Sequence, residues 1–201
     1  ALVFMVVSMK KQVVLIKNTR VRLLFSTLTH PFNAFGAIKD KNQGSLVISG
    51  VLVLLYYVMT VLSDLCGGFS FTYLDLASYN ALWVLVQSVG AVLLWIVCNK
   101  AVTTLMDGKG KTKDIIIVTA YSLVPMILGN LVYLVLSNVL LSSEAQFISI
   151  FRGAMVLYSL ILLMIGTIKI HDYGMGRFLG TSVLTIVGMA IVVFLIIMVI
   201  I

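Results

Sequence analysis

The chain has 201 residues, of which 61% are apolar and 10% charged, with a formal net charge of +7. Soluble domains run at about 45–50% apolar and about 25% charged, and a soluble fold of this size has too little interior to hide the excess. With a mean hydropathy of +1.16, the composition excludes a soluble enzyme, a disordered chain and a disulfide scaffold, and indicates an all-α polytopic membrane protein.

In chain order, residues 1–17 match no complete element. The apolar run ALVFMVVS at 1–8 lacks the basic region that precedes a signal segment. Followed by Lys10 and Lys11, it is compatible with the cytoplasmic end of an earlier span, and the start at Ala1 suggests chain upstream. Residues 18–44 are too polar to cross a bilayer. Val21, Leu24, Phe25 and Leu28 recur at helical spacing, so this stretch reads as a cytoplasmic amphipathic segment. It should break near Pro31 and continue through Phe32, Phe35 and Ile38. Two placements remain open and are compatible: lying on the membrane surface, or packed against the bundle.

Five apolar stretches follow, near 45–63, 80–98, 115–140, 147–168 and 179–201. Each is close to the ~20 residues that span a bilayer, and none alternates as a barrel strand does. Residues 45–201 therefore read as a five-transmembrane-helix bundle. Pro125 lies inside the third stretch and predicts a kink near Tyr121–Pro125. Trp83 and Trp95 sit near opposite ends of the second, as indole rings do at membrane interfaces.

Charge sets the orientation. Lys10, Lys11, Lys17, Arg20, Arg22, Lys39 and Lys41 precede the first span. Lys100, Lys109, Lys111 and Lys113 lie between the second and third, and Lys169 and Arg177 between the fourth and fifth. Five spans put all of these on one side, leaving only Arg152 of the 14 basic residues beside Asp64, Asp75 and Glu144 on the other. The positive-inside rule then places the N-terminus in the cytoplasm and the C-terminus outside. Such a face favours anionic membrane lipids over nucleic acid, because the charge flanks spans. Cys66 and Cys98 fall near opposite faces, too far apart for a bridge.

Several segments carry candidate chemistry. The loop Asp107-Gly-Lys-Gly-Lys-Thr-Lys-Asp114 has a Gly-Lys-Thr at Gly110, but a phosphate cradle needs glycine where Leu105 stands and a strand before it. It reads as a solvated turn. His171 and Asp172 open the last basic loop. A His beside a carboxylate is a base or a metal ligand in some sites, yet no nucleophile is suitably spaced and the only other histidine is His30. Capping and loop packing are the plainer reading, with Gly174 and Gly176 supplying unusual backbone angles. Within the spans the polar candidates are Gln87, Asn130 and Arg152, as interhelical hydrogen-bonding groups or as the lining of a pathway. Arg152 is placed either to snorkel outward or to pair with Asp64, Asp75 or Glu144. Gly90, Ala91, Gly129, Gly153, Ala154, Gly166, Gly188 and Ala190 permit close helix approach. The ten methionines contain no Met-x-Met or Met-x-x-Met cluster, and no metal or cofactor is expected.

Taken together, His30-Pro-Phe-Asn-Ala-Phe35, Thr104-Leu-Met-Asp-Gly108, Lys113-Asp114-Ile115, Thr119-Ala-Tyr-Ser-Leu-Val-Pro125 and His171-Asp172-Tyr173 resemble the bacterial branch of the Yip1 domain family, over roughly residues 28–201. The resemblance implies a five-span helical domain with a cytoplasmic N-terminus. It marks Asp107, Gly108, Asp114, Tyr121, Pro125, His171, Asp172 and Tyr173 as partner-binding or structural motif residues. Eukaryotic members are linked to Rab GTPases and to traffic between endoplasmic reticulum and Golgi, a role with no bacterial counterpart. Bacterial members look like neighbours of carbohydrate-uptake ABC transporter components. The resemblance therefore implies a non-catalytic adaptor or accessory subunit in the bacterial plasma membrane, with an ABC-type permease as the partner class. The alternative is a transporter or channel component with a path near Gln87, Asn130 and Arg152.

Overall fold

The computed structural model describes residues 22–68, 79–140 and 142–200. The unassigned segment 1–17, Val21 and Asp75 lie outside them. All regular structure among the described residues is helical, and five helices are long and apolar enough to cross a membrane. We number the helices α1 (22–29), α2 (Pro31–Lys41), α3 (Leu46–Leu65), α4 (Ala81–Leu105), α5 (Thr112–Leu136), α6 (Ala145–His171) and α7 (Met175–Ile200). At about 1.5 Å per residue, the 20 residues of α3 reach about 30 Å, one hydrocarbon thickness.

The third span is the hub. Helix α5 is buried over most of its length, between α3 and α6, while α7 is almost entirely exposed and packs mainly on α4. The expected kink is present. The helix breaks at Leu123, between Thr112–Ser122 and Val124–Leu136, with Pro125 starting the second half. Proline cannot donate to the carbonyl one turn back, so groups at the break need other partners. Leu123 N–H turns to Ala120 O at 3.2 Å, and the Ser159 hydroxyl on α6 donates to Ser122 O at 2.5 Å. Ser159→Ala leaves that carbonyl unpaired. It should lower the free energy of unfolding in detergent by about 0.6–1.7 kcal/mol, the range for hydrogen bonds between spans; an unchanged melting temperature would show the bond to be dispensable.

The amphipathic segment does break at Pro31, and it packs against the bundle. Phe35 and Ile38 are fully buried against α5 and α6, and Tyr158 on α6 donates its hydroxyl to Leu28 O. Leu24 and Leu28 of the expected α1 stripe pack against the core, and Phe25 departs from it. Leu23 and Thr27 are inside, while Phe25 is 69% exposed and Phe32 is 56% exposed. The helical spacing found the apolar stripe, and in a membrane-bound helix that stripe turns towards lipid as readily as towards the core.

The small residues divide in the same way. A Cβ added at Gly166 would stand 2.3 Å from Val118 Cγ1, and one at Gly129 would stand 2.9 Å from Met155 Cβ, so both mark close helix contacts. Nothing lies within 4 Å of a Cβ at Gly153, and at Gly90 the nearest atom belongs to Val86 of the same helix. These two sit on open faces. Cys66 and Cys98 are free thiols.

Candidate functional site

At the basic end of the bundle, three helices end close together, and each ends on an Asn or Asp in the left-handed region. Asn42 follows α2 at φ 53°, Asp107 follows α4 at φ 55°, and Asp172 follows α6 at φ 55°. Side chains that bond their own backbone tolerate this conformation where glycine is usual. No described glycine has a positive φ. Gly174 and Gly176 therefore do not supply the unusual angle; Asp172 does. The next amides close the ends: Gly108 N–H donates to Thr103 O at 2.7 Å and Tyr173 N–H to Ile168 O at 3.1 Å.

These ends are knotted to one another. The His171 side chain is buried at 1% exposure, and its Nδ1 accepts from Gly110 N–H at 3.2 Å. That bond makes Nδ1 the lone-pair nitrogen and puts the ring proton on Nε2. The Tyr173 ring stacks on His171 with centroids 5.2 Å apart, and its hydroxyl donates to Met106 O at 3.3 Å. Burial raises the Tyr173 phenol above its ordinary pKa. Gly108 and Gly110 are small because the rings are there: an added Cβ would lie 2.5 Å from His171 Nδ1 at Gly108 and 2.6 Å from His171 Cε1 at Gly110. Lys100 Nζ donates to Gly110 O at 3.4 Å, and Lys113 Nζ to Asn42 Oδ1 at 3.1 Å.

Ion pairs cover this knot. Asp172 meets Lys39 of α2 at 2.5 Å and Lys109 of the glycine loop at 3.7 Å. The Lys39 hydrogen bond, helped by both positive charges, holds the Asp172 carboxyl below its ordinary pKa. A depressed carboxyl stabilises the fold above its unfolded pKa of about 3.9, so the pair is intact at neutral pH and fails as acid protonates Asp172. Asp114 is buried in the first turn of α5, where a carboxylate meets the positive end of the helix. Asp107 and Lys109 are exposed on the outer surface.

The structure thus brings Asp107, Gly108, His171, Asp172 and Tyr173 into one cluster, with Asp114 at its edge. Tyr121 and Pro125 lie deeper, at the break of α5, both buried. Of the intramembrane candidates, Asn130 and Arg152 lie on the packed helices α5 and α6, and Gln87 stands apart on α4. Asn130 is buried between α3 and α5, donating from Nδ2 to Thr60 Oγ1 at 3.3 Å. Arg152 lies with its guanidinium 4.8 Å from the Tyr133 ring centre. Gln87 is exposed on the outer side of α4. The residues missed by sequence reasoning are Lys39, Asn42, Lys100 and Gly110. A glycine on each side of Lys109 was the legible signal of a loop pressed against something bulky.

The fold and this site define a polytopic α-helical membrane protein whose basic end is a packed, ion-paired surface formed by three helix ends and one glycine loop. The chain belongs to the Yip1 domain family, whose family model matches residues 25–198. No curated protein and no solved structure matches it significantly.

Proposed function

We propose that the protein is a non-catalytic integral membrane adaptor or accessory subunit that binds another membrane protein through its cytoplasmic basic face. The observation that carries this reading is the knot itself. His171, Tyr173 and the two loop glycines are spent on packing the helix ends together, which presents Asp107, Lys109 and the Lys39–Asp172 pair on a rigid surface. A preorganised surface loses little entropy on binding. Tyr173 is buried, so it shapes this surface and does not reach out as an anchor. The partner class implied by the family resemblance is an ABC-type permease for carbohydrate uptake, in a bacterial plasma membrane. The pathway reading has less behind it, since Gln87 faces outward while Asn130 is bonded between two helices.

The test uses exposed positions that spare the His171, Tyr173 and Gly110 packing and leave Asp172 its closer partner, Lys39. Asp107→Asn keeps a side chain that tolerates the left-handed region, and Lys109→Gln removes the neighbouring charge. The pair should change stability by no more than the ~0.2–1 kcal/mol of the exposed Lys109–Asp172 pair and reduce co-purification of the native membrane partner by about tenfold, about 1.4 kcal/mol. Wild-type recovery of the partner with this variant would place the interface elsewhere.

A further inference from the structure

The end of the bundle opposite the basic face carries two opposite charges that the fold holds apart. Arg152 on α6 lays its guanidinium over the Tyr133 ring of α5 and comes within electrostatic range of Asp64, in the last turn of α3. Both are half-buried, and neither enters an ion pair among the described residues. None of the five N–H donors of Arg152 bonds to a described residue. The separation is fixed from below. Asn130 donates to Thr60 Oγ1 and Ser63 to Asn130 O, each at 3.3 Å, which ties α3 to α5 within one turn of Asp64. Tyr79 stands beside Asp64, and its buried hydroxyl has no partner among the described residues. Helix α6 has 27 residues and reaches about 40 Å, beyond the ~30 Å of hydrocarbon. Arg152 lies about 10 Å from its start, so its long side chain reaches the phosphate layer. Unanswered charges at this depth are costly and mark sites where something completes them.

We propose that this cluster binds one zwitterionic phospholipid of the phosphatidylethanolamine class, in the leaflet opposite the basic face, with its phosphate on Arg152 and its ammonium between Asp64 and Tyr79. A guanidinium fork matches two phosphate oxygens. A primary ammonium brings three donors, which the Asp64 carboxylate and the Tyr79 hydroxyl oxygen accept. The site is neutral in sum and split in charge, and so is this headgroup. A purely anionic headgroup answers Arg152 and leaves Asp64 facing a like charge. A trimethylated ammonium brings no N–H donor. Soluble phosphoethanolamine carries the same two charges without the acyl chains that hold them at this depth. The site lies at the other end of the bundle from the proposed partner surface and does not depend on it.

The experiment uses the full chain in a mild detergent, with native mass spectrometry counting added lipids of matched acyl chains. The wild type should retain phosphatidylethanolamine about threefold to tenfold more tightly than phosphatidylcholine. Arg152→Gln should lower that retention about tenfold. Asp64→Asn should remove the preference for phosphatidylethanolamine over phosphatidylcholine without weakening phosphatidylglycerol. Lys111→Gln, an exposed change on the basic face, should alter none of these. If the melting temperature shows that Arg152→Gln does not fold, the loss of headgroup preference in Asp64→Asn still decides. Equal retention of the two zwitterionic lipids by the wild type, or an unchanged preference in Asp64→Asn, would overturn the proposal. Displacement of the lipid by an equal concentration of soluble phosphoethanolamine would overturn its assignment to a lipid.

Discussion

Phe35→Ala should destabilise the whole membrane domain by about 3–5 kcal/mol, the cost of deleting a large buried aromatic side chain. The ring is fully buried, and it faces the notch left by Gly166, where an added Cβ would lie 3.4 Å from two of its carbons. Helix α2 is thus a wedge between α5 and α6 and not a loosely adsorbed surface helix. Thermal unfolding in detergent checks this: a variant that melts within a degree or two of wild type would show that α2 rests on the bundle without being part of its core. The exposed Phe32 supplies the contrast, since Phe32→Ala should leave stability within about 0.5 kcal/mol.

Gly108→Ala is the second large effect. The methyl group would have to occupy space 2.5 Å from His171 Nδ1, 2.6 Å from the Tyr173 hydroxyl oxygen and 2.9 Å from Thr103 Cβ. Overpacking of this kind costs about 1–3 kcal/mol. Because the clash is with His171, the cost should not add to that of His171→Ala. The double variant should be more stable than the sum of the two singles predicts, by about 0.5–3 kcal/mol. Strict additivity in a double-mutant cycle would mean that the loop and the α6 end are not in contact.

How much of this was legible in the sequence follows from what lipid does to the usual signals. The five spans were legible because nothing else explains runs of about 20 apolar residues, and the α5 break was legible because Pro125 has no N–H to give. Which face of each helix points inward was not, since lipid is as apolar as a protein core. Leu23 is buried and Phe25 is not, and hydropathy cannot separate them. The better inward marker was polarity. Thr27, Ser49, Ser63, Asn99, Thr103, Ser122, Ser159, Thr181 and Thr185 are all buried, one or more on every helix but α2. Most of the Ser and Thr hydroxyls among them bond carbonyls three or four residues back, so these side chains approach a neighbouring helix with the hydroxyl already paired.

The candidate site was half legible. The residues of Thr104–Gly108 and His171–Tyr173 stood out as segments, and five spans place both at the same end of the bundle. Their mutual packing was not readable, because the contacts join positions more than sixty residues apart and run through backbone groups, Gly110 N–H and Met106 O. Helix ends on Asn42, Asp107 and Asp172 were hidden for another reason. Asp and Asn are common in many loop conformations, so the letter alone does not announce a left-handed residue.

The proposed function requires the knotted, basic end of the bundle to face the cytoplasm. A cysteine at Lys111, in the exposed loop between α4 and α5, reports that directly in a Cys66→Ser, Cys98→Ser background. Lys111→Cys should react with a membrane-impermeant maleimide only after the cells are broken. Labelling in intact cells would put the basic face outside and contradict both the topology and the proposed partner surface.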